Sequence, residues 1–142
     1  MKSKIEGFEK VVQAIGFETT FHDSEVLRVE LNRVGEAPSL TICLLTRRSL
    51  WPTEKDPSDP LFYLVWLKFH DIDQLELQDF NHQNVLGGWV ETEANGDLKF
   101  WFATVFGVDC SFTCKKAQVL SVEETEMEWG KPYRREKRGT GD

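Results

Sequence analysis

Phe21-His22-Asp23-Ser24-Glu25-Val26-Leu27-Arg28-Val29-Glu30-Leu31 decides how the chain is read. Leu27, Val29 and Leu31 alternate with Arg28, Glu30 and Asn32, the two-residue period of a strand with one wet face. Just ahead of that strand, behind the aromatic Phe21, the residues His22, Asp23 and Glu25 crowd three titratable side chains into four positions. An apolar anchor, a polar knot and an amphipathic strand together describe the entry to a β-sheet.

The strands that follow build outward from this one. Leu40, Ile42 and Leu44 share a face of a second strand over 39–46, and Val34-Gly35-Glu36-Ala37-Pro38 supplies the turn that makes the two a hairpin. Arg47 to Pro60 breaks all periodicity, with Pro52, Pro57 and Pro60 among Asp and Ser, and reads as a long exposed loop carrying Trp51. Leu61 to Asp71 is apolar on both faces at its start and is expected at the centre of the sheet. Leu75 and Leu77 mark a short strand, and 79–88 reads as a polar loop. Strands are expected again over 89–93, 98–104 and 111–122. Asn95-Gly96 forms a tight hairpin turn, and Phe106-Gly107-Val108-Asp109 forms the next turn.

Ahead of the sheet, residues 3–16 read as a helix. Ser3 and Glu6 stand in capping-box spacing, Ile5, Phe8, Val12 and Ile15 form one apolar face, and Gly16 is the stop. The fold class expected is α+β: a mostly antiparallel curved sheet or small sandwich of about seven strands with an N-terminal helix. Residues 1–126 are expected to form a single α+β domain, followed by a basic tail over 127–142 that reads as disordered.

Composition narrows the function. A chain of 142 residues that is 40% hydrophobic and 12% aromatic supports a packed core. The charged N-terminus and the short longest apolar run, Leu61–Leu67, argue against a signal peptide or a membrane span, and the expected location is cytoplasmic. Cys43, Cys110 and Cys114 are an odd set, and Cys110 and Cys114 sit four apart in a strand, so these two read as small buried apolar residues. From Lys131 onward five Lys/Arg face two acids, so that segment is +3 and the remainder carries −10 of the net −7. That acidic body does not suit direct binding to nucleic acid and does suit a basic protein partner.

Residues for chemistry are sparse. Phe-His-Asp occurs at 21–23 and 69–71, without the longer self-similarity of a repeat. His22, His70 and His82, with Asp23, Glu25 or Asp71, are metal-ligand types but lie at no metal-binding spacing. There is no Gly-x-Ser-x-Gly elbow and no phosphate loop. Asn81, His82 and Asn84 read as a polar loop that bonds its own backbone, with a secondary contact surface as the other reading. No catalytic residue, metal or cofactor is assigned.

Three segments resemble immunity protein family 50 of bacterial polymorphic toxin systems. They are Phe21-His22-Asp23-x-Glu25-Val26-Leu27, Phe80-Asn81-His82-Gln83-Asn84-Val85-Leu86, and Phe106-Gly107-Val108-Asp109-Cys110-Ser111-Phe112. The resemblance implies a non-catalytic, single-domain protein that binds a cognate toxin and protects its own cell. The expected partner contacts are His22, Asp23, Glu25 and Trp51. The alternatives are a small metal-dependent hydrolase built on the histidines and a small-ligand-binding domain with its pocket between helix and sheet.

Overall fold

The computed structural model describes residues 3–48 and 61–127. Among them one helix, α1 (Phe8–Ile15), precedes eight strands: β1 (Glu25–Asn32), β2 (Ser39–Arg47), β3 (Phe62–His70), β4 (Asp73–Gln78), β5 (Val85–Ala94), β6 (Asp97–Phe106), β7 (Asp109–Cys114) and β8 (Lys116–Thr125). All pair antiparallel in one open sheet of order β4-β7-β6-β5-β1-β2-β3-β8. The fold class is therefore the α+β curved sheet expected. The last run, read as one strand over 111–122, divides at Lys115 into β7 and β8, and part of the expected 79–88 loop, from Val85 on, belongs to β5.

The sheet folds over on itself. β1 and β5 share one register pair among the described residues, Glu25 with Val85, and then separate. That seam divides the sheet into halves β4-β7-β6-β5 and β1-β2-β3-β8. The halves face each other across an aromatic core. Phe69 of β3 lies 5.0 Å from Phe100 of β6 and 4.8 Å from Phe112 of β7, strands to which β3 is not hydrogen-bonded. Opposite the seam the chain crosses between halves at Asp71-Ile72 and at Lys115, where the Lys115 amide donates to the His70 carbonyl (3.0 Å).

Two positional expectations change. β3 is not central: it stands next to the edge, between β2 and β8, and its two-sided apolarity serves the core on one face and the half-buried Trp66 on the other, over which Arg28 lies. Leu31 is 54% exposed. The alternation of β1 places it on the inner side, but β1 has left β5 by then and runs beyond the core.

The helix begins later than its capping box suggests. Residues before Gly7 pair instead with the edge strand: the Glu6 amide donates to the Ala117 carbonyl (2.9 Å) and the Val119 amide to the Glu6 carbonyl (2.8 Å). Covering the open edge of β8 satisfies backbone groups that a longer helix would leave exposed. Ser3 accordingly bonds Glu91 rather than capping, and Gly7, at φ 81°, turns the chain into the helix. Val11 takes the fully buried place expected of Val12, beside Phe8 and Ile15. Gly16 ends the helix in the left-handed conformation, its amide donating to the Val12 carbonyl. Asn95 (φ 53°) and Gly96 (φ 85°) form the tight β5–β6 turn that the dipeptide announces.

All three cysteines are free and buried. Burial pushes the Cys43 and Cys110 thiols up to about 12 and Cys114 to about 11. At pH 8 the thiolate fraction of the folded protein is then on the order of a thousandth or less. Alkylation by iodoacetamide should be undetectable over an hour in native buffer and complete at all three positions in denaturant, read by intact mass. Raised folded values also set a sign for stability. Below the unfolded value of about 9 nothing is lost, and between about 9 and 12 the unfolded chain sheds protons that the folded chain keeps, so stability falls as pH rises.

Candidate functional site

In a sheet of sequential antiparallel strands, odd-numbered strands start and even-numbered strands finish at one end. That end gathers the turn before β1, the roots of the β2–β3 connection, the 79–84 loop and the β6–β7 turn. The three family-like segments meet there. The Asp23 amide donates to the Leu86 carbonyl (2.8 Å), the Leu86 amide to the Ser24 carbonyl (2.9 Å) and the Val26 amide to the Asn84 carbonyl (2.8 Å).

Asn84, 2% exposed, is the centre of this latch. Its Oδ1 accepts from the amides of Asn81 (3.0 Å) and Val108 (2.9 Å). Its Nδ2 donates to the carbonyls of Asn81 (2.7 Å) and Val26 (3.4 Å). One buried carboxamide thus joins the 79–84 loop, β1 and the β6–β7 turn, with its hydrogen-bonding capacity used. Gly107 makes the approach possible. At φ 83° it sits so close that a Cβ there would collide with the Gln83 carbonyl and lie 2.6 Å from Asn84 Oδ1. The Thr104 hydroxyl clasps the same turn, donating to the Val108 carbonyl (2.6 Å).

The expected partner-contact residues separate around this latch. His22 is exposed and its Nδ1 lies 3.2 Å from Asp23 Oδ2. Glu25 is 7% exposed, at the seam where it faces Leu45 and Val85, so it does not share the surface of His22 and Asp23. Trp51 lies outside the described residues, as do 49–60 of the long loop and 128–142 of the basic segment. The loop's roots are joined by the Arg48 amide donating to the Leu61 carbonyl (2.9 Å). The Ser24 and Thr46 hydroxyls, 3.0 Å apart, place them beside the turn before β1. Asn81 holds its own loop: its amide group donates to the Asp79 carbonyl and its side-chain oxygen accepts from Gln83. His82 is exposed.

The histidines do not converge. His70 is at the opposite end of the sheet, paired with Ser39 and Lys116, with Nε2 2.8 Å from Gln118 Oε1. Among the described residues no group of three His, Cys, Asp or Glu side chains is arranged to hold a metal. Both Phe-His-Asp tripeptides serve one local purpose: Phe21 and Phe69 are buried against Trp89, and Asp23 (φ 66°) and Asp71 (φ 62°) take the left-handed turn that follows. Aspartate tolerates that conformation better than most residues. Between helix and sheet a hollow of about 330 Å³ is walled by Phe8, Phe21, Trp89 and Thr19, the place a small-ligand reading would require.

The latch end also carries side chains that the sequence reading passed over. Phe80 is 46% exposed, Val105 66% and Phe106 53%. The available signal was an aromatic inside a polar loop and a second one beside a turn glycine. No helix among the described residues is long and apolar enough to cross a membrane.

No curated protein and no solved structure matches the chain. The family model for Immunity protein 50 matches residues 7–125, from the residue that turns into the helix to the end of β8 and across all three segments of the latch. The chain therefore belongs to the Immunity protein 50 family.

Proposed function

We propose that this protein neutralises a cognate bacterial toxin by binding it, without catalysing a reaction, in the cytoplasm of the cell that makes the toxin. The observation that carries this reading is family membership across residues 7–125. The binding surface is the end of the sheet at the latch, where His22 stands exposed and Asp23 partly exposed beside the 79–84 loop. A rigid edge of short turns suits recognition, because a surface already fixed in the free protein loses little entropy when a partner docks. Glu25 supports that edge from the seam, and the acidic character of the chain favours a basic toxin. Growth of a heterologous host expressing the neighbouring toxin gene, with and without this protein, tests the function. Rescue together with a stable complex on a sizing column is the expected result. A toxin that kills equally in both strains and passes the column alone would overturn it.

A further inference from the structure

The latch end exposes the aromatic rings of Phe80 and Phe106. Asn84 Oδ1 holds the amides of Asn81 and Val108 at once. Phe80 directly precedes Asn81, and Phe106 lies two residues before Val108, so one buried carboxamide fixes the backbone beside both rings. Register continues the surface on the far side: Gln78 pairs with Asp109, which brings Asp79 and Asp109 to the same margin as the rings. Exposed apolar groups gathered at one place, unlike single ones scattered over a surface, mark sites of interaction.

Among the described residues, the charge on the stretches that carry them has one sign. The stretches 21–27, 77–87 and 103–111, which converge here, contain Asp23, Glu25, Asp79 and Asp109 and no Lys or Arg. Asp79 and Asp109 are exposed and Asp23 partly so. Among the described residues, Arg47 and Arg48 are cations at this end of the sheet, and they stand on the other half, in and just after β2. An apolar centre with an acidic rim is the complement of a basic surface whose Lys and Arg surround an apolar contact.

We infer that Phe80 and Phe106, rimmed by Asp79 and Asp109, are the anchor of the interface with a basic toxin. This rests on the toxin-binding reading above and names both the surface and the partner's chemistry. The rings supply the bulk of the affinity, and the carboxylates speed encounter and set its salt dependence.

The probe is the purified toxin domain encoded beside this gene, with binding measured by surface plasmon resonance at two salt concentrations. Phe80→Ser with Phe106→Ser should weaken the complex by about 30-fold or more, mainly through faster dissociation. Asp79→Asn with Asp109→Asn keeps side-chain shape and should lower the association rate about tenfold at low salt, while flattening its dependence on salt. Leu31→Ser with Val34→Ser, also exposed but at the opposite end, should leave binding within about threefold. Retained affinity in the double phenylalanine variant, or loss in the Leu31/Val34 variant alone, would overturn the assignment of the surface while leaving the function intact. A free protein that dimerises through these rings, shown by a dimer lost in the same variant, would overturn it in favour of self-association. No complex with the wild-type protein would instead overturn the toxin-binding reading, and this inference with it.

Discussion

Asn84→Ala should cost about 3–5 kcal/mol of folding stability and lower Tm by roughly 10–20 °C. The carboxamide it removes serves four backbone groups in three separate segments. The Val108 amide is held in a buried setting, and alanine leaves it without an acceptor. Each buried group stripped of its partner costs about 1–3 kcal/mol, which is why the loss exceeds the worth of a typical hydrogen bond. Chemical denaturation of the variant checks the magnitude.

Asn84→Asp separates the hydrogen bonds from mere side-chain volume. Asp keeps both acceptor contacts but aims a carboxylate oxygen at the carbonyls of Asn81 and Val26, where Asn donates. Its carboxyl pKa should rise in the folded state, so the deficit should be largest at neutral pH and shrink as pH falls toward about 4. A deficit independent of pH would mean that the two donor bonds contribute nothing. Gly107→Ala breaks the latch from the other side: the added Cβ would meet backbone, 2.9 Å from the Asn84 Cα, at a φ of 83° that alanine disfavours. Its cost should be similar to that of Asn84→Ala. Combined, the two should cost less than the sum of their separate effects, because they disrupt one structure.

Phe69→Ala is the second large effect, about 3–5 kcal/mol. Phe69 is fully buried, and its ring meets Trp89, Phe100 and Phe112 at 5.8, 5.0 and 4.8 Å. These partners all belong to the opposite half of the sheet, so truncation opens a cavity between halves whose strands share one register pair among the described residues. Phe69→Leu, which retains most of the apolar volume, should cost about 1–2 kcal/mol. Urea midpoints at unchanged slope would confirm a cavity effect. A lowered slope in the alanine variant would show that the halves part before the whole unfolds.

Local chemistry made much of the fold legible. The β1–β2 hairpin, the Asn95-Gly96 turn and the stop at Gly16 follow from alternation and from residues that accept positive φ. Such features depend on neighbours a few residues apart. The same holds for the tendency of Asn81 and Asn84 to bond nearby backbone, since a short carboxamide reaches the groups of its own turn.

Asn84 shows where that reasoning stops. Its bond to the Val108 amide spans 24 residues, and its bond to the Val26 carbonyl spans 58. Nothing in the spacing of the segments discloses that they meet. The burial of Glu25 is of the same kind: a carboxylate at the start of an amphipathic strand looks exposed until two strands, β2 and β5, flank it at one position. Phe80 and Phe106 looked like ordinary loop and turn residues for the converse reason, since no sequence pattern tells which aromatic the core will leave outside.

Read alone, the residues specify a β-rich domain led by a helix, its main hairpins, the burial of Cys110 and Cys114, and the family resemblance carried by three short segments. Tertiary structure alone decided that β3 lies beside the edge, that residues before Gly7 pair with β8 rather than begin the helix, and that the three segments form one latch. The difference is physical. Turn chemistry and periodicity act within a few residues, whereas strand order, the folding of the sheet and the fate of an exposed ring depend on which distant surfaces bury each other.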